Sequence, residues 1–172
     1  MLRTLTTILA CTLALTVLFA ASACSNQGQE SAAAPQETAA KDYPLLDLDG
    51  YKGLIQDSAG KVLLVCIWSV NCPACQQELP VLEQLADSHD PDKLRVVYAS
   101  LDPASQTISD FFGDYLPLAE IVRVGNDVAE YTGSEYIPRL VVYSTTGEVS
   151  FIDSGFYPAA MLEALLKRAG LE

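Results

Sequence analysis

Val62-Leu63-Leu64-Val65-Cys66-Ile67-Trp68-Ser69-Val70-Asn71-Cys72-Pro73-Ala74-Cys75 is the stretch that decides how this chain is read. Its first seven residues are an unbroken apolar, β-rich run, the pattern of a strand buried on both faces. Downstream, Leu79, Leu82, Leu85 and Ala86 recur at helical spacing, so a helix is expected over residues 73–87. The two cysteines therefore stand where a strand passes into a helix. Pro73 suits the first helical position, where a missing N–H leaves nothing unpaired, which makes Cys72 the N-cap and places Cys75 one turn in. Unpaired N–H groups and the positive end of the helix favour a thiolate at Cys72. Two intervening residues at a first helical turn bring the sulfurs within bonding reach. The tetrad reads as a dithiol/disulfide couple in which Cys72 attacks and Cys75 resolves.

A C-x-x-C also serves as half of a zinc site or as a static disulfide. Zinc would need two further ligands, and the candidates of the right type are Cys66 on the strand and His89 in Ser88-His89-Asp90-Pro91. No second C-x-x-C and no H-x-x-x-H occurs. Neither a metal nor a cofactor is expected, and His89 reads as an exposed turn residue.

Beyond the couple, Leu94-Arg95-Val96-Val97-Tyr98-Ala99 is a second strand pattern, giving a βαβ unit with a parallel crossover. Pro80 inside the intervening helix removes a hydrogen bond to the Gln76 carbonyl, so a kink is expected there. Asp102-Pro103 has the form of an N-cap and first helical position for a helix running through Phe111-Phe112. Two strand patterns, 139–144 and 148–153, flank Thr145-Thr146-Gly147 as a hairpin. The chain closes with an amphipathic helix over 158–169, with Leu162, Leu165, Leu166 and Ala169 inward and Gly170 as its stop. With 172 residues and 50% hydrophobic content, one substantial core in a single α/β domain is expected.

Several of these residues together resemble the membrane-anchored, periplasmic thioredoxin-like reductases of the TlpA/ResA type. They are Gly60-Lys61 before the strand, Trp68 four residues ahead of the first cysteine, C-P-A-C, Glu78, Pro80, and Ile137-Pro138 before a later strand. The resemblance covers roughly residues 43–170 and implies a thioredoxin-like three-layer α/β sandwich with a mixed central β-sheet. It also implies that the Ile137-Pro138 bond is cis and faces the couple, with the Ile137 backbone pairing an extended substrate segment. Ile137, Pro138 and Trp68 are then the substrate-facing residues, with Trp68 packing beside the couple. Glu78 fits the pattern C-x-x-C-x-x-E-x-P and is expected to manage the proton of Cys75. Cys66 stands where cytosolic thioredoxins keep a buried aspartate, and reads as a small buried hydrophobe. Arg139 replaces a residue that is usually small; it is either a solvated strand-start arginine or a charge that lowers the thiolate pKa.

The N-terminal segment is of another kind. Met1-Leu2-Arg3 is a basic start, residues 5–20 are an apolar run, and Ala21-Ser22-Ala23-Cys24 is a small-residue cleavage site, as in a secretory signal. Because that site ends at a cysteine it resembles a lipobox, in which Cys24 is lipidated and becomes the mature N-terminus. An uncleaved anchor and a soluble secreted form are the alternatives. Residues 1–23 are therefore expected to be a lipoprotein signal, 24–42 a lipidated cysteine with a flexible linker of about 20 to 25 Å reach, and 43–172 the thioredoxin-like domain.

A formal charge of −12 argues against nucleic acid and against docking on anionic lipid. The expectation is a monomeric thiol-disulfide oxidoreductase, lipid-anchored on the periplasmic side of a bacterial membrane, whose partners are exported protein thiols and disulfides. The resemblance implies the reducing direction, with apocytochrome c during haem attachment as one substrate and an integral membrane protein as electron donor. A disulfide oxidant would use the same residues. A thioredoxin-like copper chaperone is the alternative of another class, although such proteins space their cysteines C-x-x-x-C and place a histidine late in the chain.

Overall fold

The computed structural model describes residues 41–172. The expected signal, Cys24 and the linker up to residue 40 lie outside the described residues. In chain order the elements are β1 (Leu45–Leu46), α1 (Leu48–Asp57), β2 (Val62–Trp68), α2 (Pro73–Ser88), β3 (Leu94–Ser100), α3 (Ser105–Phe112), β4 (Glu120–Val124), α4 (Asn126–Thr132), β5 (Arg139–Tyr143), β6 (Val149–Ser154) and α5 (Ala159–Arg168). No helix among the described residues is long and apolar enough to cross a membrane.

One six-stranded sheet runs in the order β1-β4-β3-β2-β5-β6. Strands β1, β4, β3 and β2 are mutually parallel; β5 pairs antiparallel with β2, and β6 antiparallel with β5. The mixed sheet follows from the connections: helices carry the chain back between the parallel strands, whereas a tight turn joins β5 to β6. In that turn Gly147 N–H donates to Ser144 O at 2.9 Å, and Gly147 adopts φ +81°, which a side chain would disfavour.

β2 is buried along its whole length because its two faces serve two cores. Val62, Leu64, Cys66 and Trp68 pack with Leu79, Leu82 and Leu85 of α2, Ile108 of α3, and Leu162 and Leu166 of α5. On the other face Leu63, Val65 and Ile67 meet Tyr51 and Leu54 of α1 and Val128 of α4. The result is the three-layer α/β sandwich. Each fully buried leucine at these positions contributes about 1.5–3 kcal/mol relative to exposure.

Three details depart from the sequence reading. Asp102 does not cap α3, whose N-cap is Ala104 with no side-chain hydrogen bond; its carboxylate is taken up by another loop, described below. His89 is not a free turn residue, since its Nε2 lies 3.0 Å from Glu163 Oε1 and ties the end of α2 to α5. Leu165 is only partly buried beside the α5 core residues.

Candidate active site

Strand β2 ends at Trp68, and the turn Ser69-Val70-Asn71 delivers the chain to the N-terminus of α2. Cys72 is the N-cap, with extended backbone (φ −101°, ψ 105°), and its Sγ accepts the Cys75 N–H at 3.1 Å. Pro73 occupies the first helical position. Cys72 and Cys75 form a disulfide, with Cα atoms 5.2 Å apart. Cys72 is partly exposed, whereas Cys75 is buried. Only the first sulfur therefore meets both conditions for attack, access and a helix N-terminus.

The Ile137-Pro138 bond is cis, and the Ile137 carbonyl oxygen lies 3.6 Å from Cys72 Sγ. This places the loop before β5 directly against the Cys72 sulfur, with residues 65 positions apart in sequence brought together by the β2–β5 pairing. Pro138 is buried and Ile137 is half-buried.

Beneath the couple lies Glu78. The carboxyl group is fully buried; Oε2 accepts the Tyr157 N–H at 2.9 Å and Oε1 has no partner. Burial pushes its pKa up, opposed by the Tyr157 hydrogen bond. Cys66 is the free cysteine of the described residues, fully buried, and burial followed by the Glu78 charge pushes its thiol far up. It is inert as a nucleophile and serves as a small core residue, facing the same side as Trp68.

Trp68 is also fully buried, with ring centroids 5.3 Å from Phe111, 5.7 Å from Phe112 and 6.4 Å from Tyr98. It is a wall behind the couple and offers no surface to a substrate. Arg139 sits opposite Ile67 in the ladder, on the face that looks away from Cys66 and Leu140. Its Nε donates to Thr132 O at 3.0 Å and an Nη to Ser154 Oγ at 3.3 Å, so the guanidinium caps the C-terminal end of α4. These bonds give the arginine a structural role.

Sequence reasoning missed Asp102. Buried just after β3, its carboxylate accepts the Val70 N–H at 2.9 Å, Ser69 Oγ at 3.0 Å and Ser100 Oγ at 2.7 Å. Ser69 O in turn accepts the Cys72 N–H at 3.1 Å. Asp102 thus fixes the turn that presents Cys72. The Asp-Pro dipeptide signalled a helix start so plainly that no local cue to this cross-loop role remained. Tyr157 was missed too, because a backbone donor carries no signal in its side chain.

Comparison with known proteins gives a consistent relationship. The sequence profile described as thioredoxin-like matches residues 60–149. A thioredoxin-like protein of Bacillus subtilis, YneN, is 37% identical over 120 residues, covering 67% of this chain and 69% of its own. The thiol-disulfide oxidoreductase ResA of Halalkalibacterium halodurans is 22% identical over 129 residues, covering 74% of this chain and 73% of its own. Among solved structures, a thiol:disulfide interchange protein of Chlorobium tepidum superposes with a TM-score of 0.59 at 18% identity, over 66% of this chain and 83% of that one. With the profile covering residues 60–149 and a relative 37% identical over 67% of the chain, the chain belongs to the thioredoxin-like family, among relatives named thiol-disulfide oxidoreductases.

Proposed function

We propose that the protein reduces disulfides of exported polypeptides, working outside the cytoplasm from a lipid anchor at Cys24 through the Cys72/Cys75 couple. The observation that carries this reading is the partly exposed Cys72 sulfur at the α2 N-terminus, 3.6 Å from Ile137 O and one bond from buried Cys75. In the dithiol state the Cys72 thiolate attacks one sulfur of a substrate disulfide, forming a mixed disulfide and expelling one substrate thiolate. Cys75 then loses its proton and attacks Cys72 Sγ, expelling the second substrate thiolate and closing the Cys72–Cys75 bond. Two electrons pass to the substrate. A membrane-held dithiol donor must return them before the next cycle.

Glu78 is the group that accepts the Cys75 proton. One helical turn separates the two residues, and burial raises the proton affinity of the carboxylate, so its ionised form is a stronger base than an exposed glutamate would be. Ile137 offers backbone polar groups to an extended substrate segment next to the attacked disulfide. Apocytochrome c, whose cysteines must be reduced before haem attachment, is a substrate of the right kind.

Direction separates this reading from its nearest competitor, since an oxidant would run the same steps backwards. The Pro73-Ala74 dipeptide places no histidine between the sulfurs, which supports the reductant. Equilibrating the couple with glutathione or thioredoxin buffers tests it. A reductant requires a potential near that of thioredoxin, about −270 mV, and a value near about −120 mV would make the protein an oxidant instead.

A further inference from the structure

On the flank of α2 opposite the cis proline runs a groove of about 430 Å³, whose lining includes Gln76, Pro80, Glu83, Tyr98, Phe111 and Tyr115. Sheet order fixes that separation: β5, which follows Ile137-Pro138, lies on one side of β2, and β3, which carries Tyr98, lies on the other. Gln76 joins the groove to the couple, because its Nε2 donates to Val70 O at 2.7 Å and its backbone N–H to Cys72 O at 3.0 Å. From Gln76 to Glu83 the groove follows α2 for roughly 10 Å, at about 1.5 Å per residue.

The groove is held open from within. Glu83 accepts Tyr98 Oη at 2.7 Å, Tyr115 Oη at 2.9 Å, Leu118 N–H at 2.9 Å and Ala119 N–H at 3.4 Å. These bonds tie helix, strand and the loop after α3 into one frame. With the frame fixed, aromatic groups of the lining stay in solvent: Phe111 is 38% exposed and Tyr115 55%. Exposed aromatic groups in a groove that begins one helical turn from Cys72 mark a contact site.

Charge selects what fits. No lysine or arginine occurs over residues 62–92 or 96–122, the stretches that supply both walls. Asp87, Asp110 and Asp114 in those stretches are exposed. The Glu83 hydrogen bond, then burial, then the charges of Glu83 and Asp87 push the Tyr115 phenol up, so these two carboxylates put negative charge at the Tyr115 end of the groove.

We propose that this groove is a second substrate subsite, which takes a large apolar residue next to a lysine or arginine on the side of the attacked cysteine away from Ile137. An extended chain advances about 3.3 Å per residue, so the recognised pair lies roughly three to five residues from that cysteine. The subsite rests on Cys72 being the attacking sulfur. It explains why the chain leaves aromatic surface open beside the Glu83 and Asp87 carboxylates: the apolar floor binds and the carboxylates sort by charge.

The test uses the full chain, reduced, and disulfide-cyclised peptides that differ only at a residue pair four positions from one cysteine: Phe-Lys, Phe-Glu, Ser-Lys or Ser-Glu. Bis(2-hydroxyethyl) disulfide, which is uncharged and too small to reach the groove, is the reference. Phe-Lys should exceed Ser-Lys by about tenfold in kcat/KM. It should exceed Phe-Glu by about threefold to tenfold, a ratio that shrinks as salt is raised. In Asp87→Lys, which reverses the Asp87 charge acting on Tyr115, the Phe-Lys to Phe-Glu ratio should fall to one or below, and as a ratio within one variant it is insensitive to general loss of activity. Equal rates for all four peptides, with the reference disulfide reduced, would overturn the subsite alone. Failure of the wild-type chain to reduce the reference would overturn the role of Cys72 and the subsite with it.

Discussion

Glu78 Oε2 accepts the backbone N–H of Tyr157 at 2.9 Å, while Oε1 of the same buried carboxyl group has no partner. A carboxylate with one hydrogen bond and no cation is poorly compensated for its burial, so the neutral acid gains relative to the anion. The free oxygen is the place where a proton can be received. Tyr157 closes the site from the β6–α5 connection, so that two segments distant in sequence hold one carboxyl group one helical turn from Cys75.

Glu78→Gln should keep the Tyr157 hydrogen bond and the fold, and should form mixed disulfides at the wild-type rate. Resolution by Cys75 near neutral pH should slow by roughly a hundredfold, the low end of what a positioned acid or base supplies. Rapid-mixing kinetics across pH read both steps; a resolution profile superimposable on wild type would leave proton transfer to water.

The same carboxyl group makes stability depend on pH. Because its pKa is raised in the folded protein, folded chains hold the proton to higher pH than unfolded chains do. The stability this contributes is complete below the unfolded value, about 4.3, and is lost as pH rises through the folded value. Denaturant titrations of the oxidised protein should therefore show wild type losing stability relative to Glu78→Gln as pH rises above about 4.3. A constant difference over that range would mean that the carboxyl group titrates normally in the fold.

Asp102→Ala should strip the acceptors from Val70 N–H and the Ser69 and Ser100 hydroxyls. Leaving buried donors unpaired costs about 1–3 kcal/mol, and the turn that presents Cys72 should loosen. Attack on a small disulfide should slow more than global stability alone accounts for, with Asp102→Asn recovering part of the loss. If alkylation of Cys72 proceeds at the wild-type rate in folded Asp102→Ala, the turn does not need this anchor.

Cys24→Ser should abolish lipid attachment and release the chain from membranes. Two or three acyl chains, at about 0.8 kcal/mol per buried CH₂, account for firm anchoring that this variant cannot have. Membrane fractionation with fatty-acid labelling checks it: labelled, membrane-bound Cys24→Ser would place the anchor elsewhere.

How far the sequence could be read differs between elements for physical reasons. β2 was legible because a strand covered on both faces must be apolar throughout, and α2 because Leu79, Leu82 and Leu85 repeat on one face. Elements β1, α1 and α4 were not. β1 has two residues, α1 carries Gly50 and Gly53 inside its span, and α4 has seven residues. Their stability comes from packing on the sheet, which no local pattern records. At the site, Cys72, Cys75 and the Ile137-Pro138 contact follow from spacing and family likeness. The partner of Glu78 and the loop held by Asp102 depend on segments 79 and 32 residues away.

Trapping tests the central claim, that Cys72 attacks and Cys75 resolves, most directly. Full-length Cys75→Ser and Cys72→Ser variants, expressed in cells that export the chain, are compared on non-reducing gels for covalent complexes with exported proteins. The exposure of Cys72 and the burial of Cys75 require abundant mixed disulfides from Cys75→Ser and few from Cys72→Ser. Equal trapping by both, or trapping by Cys72→Ser alone, would contradict the assignment.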